Sequence, residues 1–200
     1  VYKRQYLERL PNKCNVHKVN VALVTEEQFA QSQTIDFYYV KEEIVHQHNL
    51  GWWLKGCNSV GKPHDFHLKW YPEPWVWHQL TAQERENLQT VNLLEKGLVT
   101  VEKVPCMTFE QLANKYNIGK INFLKVDVEG QDPPLVRSIV NFYIKNNLKD
   151  LLPKEIFFES NTHSNPQECE KLRLHLATLG YDVVVESENT RAVLRPWKTI

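Results

Sequence analysis

Asp127 and Glu129 stand two residues apart in the stretch INFLKVDVEGQD (residues 121–132). On an extended strand that spacing puts both carboxylates on one face. Close carboxylates can share a proton, which raises the pKa of one and suits it to take a proton from a hydroxyl. They can also hold a divalent cation that acidifies a hydroxyl. The plainer alternative is that one caps the following helix and the other is solvated. Lys125 alternates with Asp127 and either pairs with it, meets a substrate or simply extends from a strand end. A third carboxylate, Glu159, closes EIFFESN (155–161), with Asn161 and His163 just beyond. Adjacent strand tips form one crevice, so these residues are expected beside the first pair, His163 as a candidate general base.

The elements that must position these groups are legible on either side. Ile121, Phe123, Leu124 and Val126 form a mostly apolar run, which predicts a strand covered on both faces of a parallel sheet. Gly130 permits a sharp exit, and Asp132-Pro133-Pro134 predicts a helix start with Asp132 as N-cap. Before this unit, 99–104 predicts a short strand, and Thr108 caps a helix over 109–116 with Gln111 completing a capping box. After it come apolar residues at helical spacing from Leu135 to Ile144, a buried strand over 155–159 and a helix over 166–179 stopped by Gly180. A hairpin over 182–186 and 191–194, turning at Glu188-Asn189, closes the series. Strand and helix alternate from 99 onward, which argues for a doubly wound α/β sheet.

The first half is less regular. Residues 6–10 read as a helix end stopped by Pro11 and Asn12, and 16–24 as a strand. IDFYYV (35–40) reads as a hairpin arm or an edge strand, and 81–96 as a helix capped by Thr81 with Glu84 and stopped by Gly97. Residues 41–80 carry Trp52, Trp53, Trp70, Trp75, Trp77 and five histidines without a clean period, the mark of an irregular insertion. Aromatic faces such as Trp52 and Trp75 beside polar groups suit sugars or planar substrates, although most of these rings are expected to pack. His46-x-His48 and His64-x-x-His67 lack a companion set of ligands, so no metal is expected there.

LKVDVEGQD resembles the K-x-D-x-E-G-x-[DE] signature of FkbM-type methyltransferases, which use S-adenosylmethionine. VPCMTFEQLANKYNI upstream, and EIFFESN and LHLATLGYDVVV downstream, are similar to the flanking segments of that family. The resemblance is good over 104–185, weaker over 6–24 and slight over 25–99. It implies a seven-stranded, Rossmann-like class I methyltransferase sheet with an antiparallel last strand, and it puts Asp127 near the methyl donor and acceptor. Asn20 and Ala22 resemble the N-x-A turn that flanks the adenine; ordinary turn chemistry is the bland reading of that asparagine.

A nucleoside cofactor on such a sheet lies over a glycine-rich turn after the first strand. The seven glycines include no such turn; Gly51, Gly56 and Gly61 are set among tryptophans and a lysine. Val-Tyr-Lys-Arg-Gln at 1–5 is what a common transposon-end sequencing adapter encodes, so residues 6–200 are expected to be one partial domain, truncated at its N-terminus, with the aromatic insertion at 41–80. Such a fragment is expected to be inactive alone. The 24 basic and 24 acidic residues cancel, which gives no footprint for nucleic acid or an anionic membrane. Cys14, Cys57, Cys106 and Cys169 are far apart and read as reduced structural thiols. No apolar run reaches the length of a membrane span, and the default compartment is the cytoplasm.

The reading that joins these features is an S-adenosylmethionine-dependent methyltransferase acting on oxygen of a small or sugar-containing molecule. Asp127 is the catalytic carboxylate, Glu129 and Glu159 its supports, and a divalent metal is possible but unsupported. Two alternatives stand beside it. One is an inactive methyltransferase-like domain that binds through its aromatic insertion; the other is a nucleotide-dependent transferase, for which no phosphate loop or basic pocket is visible.

Overall fold

A computed structural model describes residues 18–72, 74–89, 91–128, 130–161 and 164–196. In chain order its strands are β1 (Ala22–Val24), β2 (Thr34–Tyr39), β3 (Ser59–Val60), β4 (Thr100–Thr108), β5 (Phe123–Val126), β6 (Glu155–Glu159), β7 (Tyr181–Glu186) and β8 (Asn189–Leu194). The α-helices are α1 (Glu26–Gln31), α2 (Glu42–Gln47), α3 (Pro74–Trp77), α4 (Ala82–Gln89), α5 (Phe109–Tyr116), α6 (Asp132–Lys145) and α7 (Pro166–Thr178). The protein is therefore α/β, with two four-stranded sheets ordered β1-β4-β2-β3 and β5-β6-β8-β7 in place of one seven-stranded sheet. By contacts the described residues divide into two compact units. One takes those up to Ala22 with Ile35–Pro105, the other Leu23–Thr34 with those from Cys106 onward.

The second unit follows the sequence most closely, because its signals are local. Thr108 Oγ1 accepts the Gln111 N–H at 3.2 Å while Gln111 Oε1 accepts the Thr108 N–H at 3.0 Å, so the capping box opens α5 as expected. β5 and β6 pair in parallel, with Val126 opposite Phe158. β8 runs antiparallel to both β6 and β7, as the family resemblance implied for the last strand. The hairpin turns at Ser187-Glu188, one residue earlier than expected, because Glu186 pairs with Asn189. Leu135, Val136, Ile139, Val140 and Tyr143 of α6 join Leu172 and Leu176 of α7 in one buried cluster with Ile156, Phe158 and Phe109. Each such side chain contributes about 1.5–3 kcal/mol by leaving water.

Several expectations fail for non-local reasons. Among the described residues β5 has β6 as its one strand neighbour, and it is not covered on both faces: Phe123 and Lys125 are exposed and only Val126 is buried. β2, expected as a hairpin arm or an edge strand, pairs antiparallel with β3 but lies inside the sheet, between β4 and β3. The strand of 16–24 is confined to β1 among its described residues, and β4 runs on from the expected 99–104 to Thr108. The helix of 81–96 begins at its Thr81–Glu84 capping box but stops at Gln89. Asn92 opens a separate turn by accepting the Leu94 N–H at 3.0 Å and the Glu95 N–H at 3.3 Å. Cys57, Cys106 and Cys169 are buried, whereas Cys14, the helix end at 6–10 and residues 1–5 lie outside the described residues.

Residues 41–80 contain order that periodicity does not show. Short helical turns and a bridge between Leu50 and Pro72 surround an aromatic cluster. Trp53 meets Phe66 and Tyr71 edge-on, at centroid separations of 4.8 and 5.3 Å. Val40, Val45, Leu50, Leu54, Leu93 and Val99 form the core beside it. Gly51 is required by close approach, because a Cβ there would meet Trp53 Nε1 at 2.6 Å. The packed indole has little room to move. Gly51→Ala should therefore cost about 1–3 kcal/mol, read as a lower midpoint in urea unfolding.

His67 is fully buried in this unit, and burial, reinforced by the charge of His64, lowers its pKa from 6.5 to about 4. As the pH drops from 6.5 toward 4, the unfolded chain takes up a proton that the folded chain refuses, so stability is lost across that window. The loss should be on the order of 2–3 kcal/mol. His67→Asn, which keeps an acceptor near the Nδ1 position, should flatten this part of a stability–pH curve.

Candidate active site

The crevice lies where β5 and β6 end. Their ladder closes at Val126 and Phe158, and the register carries Asp127 and Glu159 one step beyond, side by side across the pair. Lys125 sits on the same face as Asp127, and its Nζ lies 3.0 Å from Asp127 Oδ2. That is the pairing alternative raised by their spacing. Both side chains are more than half exposed, so the ion pair is screened and structurally cheap. Asp127 thus carries an accessible carboxylate whose only direct ion-pair partner among the described residues is a mobile lysine. Glu129, the companion expected on the same face, lies outside the described residues, as does His163.

Beyond Asp127 the chain turns at Gly130, whose φ of 85° lies in the left-handed region that glycine enters without cost. Helix α6 follows, with Gln131 at its cap position. Asp132 is therefore not the N-cap; it is the first helical residue, and its carboxylate is used elsewhere. Oδ2 accepts the Val128 N–H at 3.3 Å, and Oδ1 accepts the Glu159 N–H at 3.2 Å. One side chain thereby joins the end of β5 to the end of β6. Asp132 is fully buried, and that burial pushes its carboxyl pKa up, with the Asp127 charge acting in the same direction and the two N–H groups opposing. Sequence reading missed this residue because a carboxylate before two prolines looks like a cap. The available signal was its place as the final acidic residue of the K-x-D-x-E-G-x-[DE] pattern.

The β6 side of the crevice is braced by the hairpin. Ser160 donates its N–H to the Glu188 carbonyl at 2.8 Å, and its Oγ lies 2.8 Å from that of the buried Thr190. Asn161 Oδ1 accepts the Ser164 N–H at 3.2 Å, and Ser164 Oγ donates to the Glu159 carbonyl at 3.3 Å. Asn161 thus shapes the turn after Glu159.

The other sequence candidates belong to the first unit. Asn20 is exposed and precedes β1, Ala22 is half-buried within it, and Trp52 and Trp75 are exposed at 62% and 57%. His64 Nδ1 accepts the Phe66 N–H at 3.1 Å and His67 Nδ1 accepts the His64 N–H at 3.2 Å, so both rings cap a short turn. His46 lies 3.8 Å from Glu42 on an exposed helix face. Among the described residues no three His, Cys, Asp or Glu side chains are grouped to hold a metal ion, and no helix is long and apolar enough to cross a membrane.

Because the Lys125–Asp127 pair is solvent-screened, Lys125→Met should change the free energy of unfolding by less than about 0.5 kcal/mol, measured by urea titration.

A family model for the methyltransferase FkbM domain matches residues 4–183. It runs through 25–99, where the residues themselves show little resemblance. No curated protein and no solved structure matches the chain. Every element from β1 to α7, both strand ends and the buried carboxylate between them fall inside the matched span, and the chain belongs to the FkbM methyltransferase family.

Proposed function

We propose that the protein is an S-adenosylmethionine-dependent methyltransferase acting on a hydroxyl oxygen of a small or sugar-containing molecule. The observation that carries this reading is the open carboxylate of Asp127 at the carboxyl end of β5, beside Glu159, in a chain of the FkbM family. Open α/β sheets place their ligands at this end of the strands. S-adenosylmethionine is cationic at sulfur and at its amino group, and a solvent-facing carboxylate complements that charge. Bound here, it would supply an electrophilic methyl group, transferred in line to the attacking oxygen as the carbon–sulfur bond breaks.

The remaining work belongs to the chain. An alcohol oxygen that gains a methyl group must lose its proton, and Asp127 is accessible to take it. Lys125 neighbours that carboxylate and can stabilise its charged form before the acceptor arrives. Glu159 and its braced turn hold the opposite wall, so that donor and acceptor meet in one orientation.

Asp127→Ala should lower methyl transfer by about 10²-fold or more, measured with labelled S-adenosylmethionine against a panel of hydroxyl-bearing small molecules and glycosides. Its unfolding midpoint should stay within about 0.5 kcal/mol of wild type, since the side chain holds little structure. Wild-type transfer that survives this substitution would remove Asp127 from the reaction. Failure of the full-length wild-type protein to bind S-adenosylhomocysteine by calorimetry would remove the methyltransferase reading itself.

A further inference from the structure

We infer that Asp132 is a positioning residue: its buried carboxylate sets the separation of the β5 and β6 ends and thereby the relative placement of Asp127 and Glu159. This inference rests on the reading of that crevice as the transfer site. The backbone ladder between the two strands ends at Val126 and Phe158; beyond it Glu159 pairs with Asn189 of β8 and not with β5. Asp132 supplies what the ladder lacks. Its two oxygens receive one N–H from each side, Val128 directly after Asp127 and Glu159 itself, at 3.3 and 3.2 Å.

Three features separate this arrangement from a helix cap. The N–H groups of Val128 and Glu159 both come from outside α6, and Gln131 occupies the cap position. The carboxylate is fully excluded from solvent, so its two hydrogen bonds are not exchanged for water. It also begins α6, whose Leu135, Val136, Ile139 and Val140 are locked in the core, so the pin is anchored to the most rigid part of the unit. Asp127, by contrast, is solvent-facing and has no such anchor of its own. Loss of the pin releases the Val128 end of β5 from a β6 end that the hairpin still braces, and a displacement of the order of 1 Å is enough to lose about 10²-fold in a positioned reaction.

The test compares wild type, Asp132→Asn and Asp132→Glu in the complete protein. Asparagine keeps the shape but turns one acceptor into a donor facing an N–H; glutamate keeps both acceptors. Exchange of the Val128 and Glu159 amides should accelerate about tenfold or more in Asp132→Asn, while the Ile139 and Leu172 amides stay protected. S-adenosylhomocysteine, used as the probe, should bind about tenfold or more weakly to Asp132→Asn, and Asp132→Glu should recover most of that affinity. Unchanged exchange at Val128 and Glu159 overturns the pin. So does an affinity loss that merely tracks the unfolded fraction and that glutamate fails to restore. If wild type does not bind the probe at all, the methyltransferase reading falls, and the exchange of the two amides still decides whether Asp132 holds the strand ends.

Discussion

A carboxylate held away from water at the junction of two strand ends is a costly arrangement, and the rest of the site depends on it. Desolvating Asp132 opposes its charge, as the upward displacement of its pKa records. Two backbone N–H groups offset that cost, and they come from segments 31 residues apart in sequence, Val128 and Glu159. Because an unpaired buried donor costs about 1–3 kcal/mol, neither amide can leave without penalty. The two strand ends are therefore coupled more tightly than a parallel ladder, which stops at Val126 and Phe158, would couple them.

The carboxylates of the crevice divide their duties by exposure. Asp132 is buried and doubly hydrogen-bonded, while Asp127 is more than half exposed and, among the described residues, forms its ion pair with the Nζ of Lys125. A group that must exchange protons with a substrate has to be reachable by it, and a group that fixes geometry has to be out of reach of water. Residues only five positions apart satisfy these opposite demands because Gly130 reverses the chain between them. The hairpin does comparable work on the other wall: Glu188 and Thr190 hold Ser160, and the turn of Asn161 and Ser164 follows.

What could be read from the sequence was what is decided locally. The Thr108–Gln111 capping box, the strand at 155–159 and the Gly130 turn all rest on residues within a few positions of one another, whereas the antiparallel last strand was implied by the family resemblance. Asp127 and Glu159 were legible as strand-end carboxylates for the same reason. Edge status is not local, and so β5 was taken for a covered strand although Phe123 is 54% exposed. The order in 41–80 depends on Trp53, Phe66 and Tyr71 meeting across 18 residues, with turns too short to show a period. Asp132 was misread on the same ground: its partners lie upstream and on another strand, while its sequence neighbours are those of a cap.

Among the described residues β5 has a single strand neighbour, and its other side is what leaves the candidate site reachable. A long, flat edge strand invites pairing with other chains, and short or charged edges avoid it. β5 has four residues, carries Lys125 on its open face and runs directly into Asp127, so its exposed backbone is brief and flanked by charge. The opposite edge is managed differently, with Asp182 of β7 paired to Arg195 by a 2.7 Å hydrogen bond. On β5 the charges that discourage pairing are the ones assigned to chemistry. A strand that had to bury both faces could not have kept Lys125 and Asp127 without partners of opposite charge, because desolvation would have exceeded what a single ion pair returns. Exposure at this edge is thus a condition for placing an accessible carboxylate there, and the buried Asp132 supplies the rigidity that a covered strand would otherwise have provided.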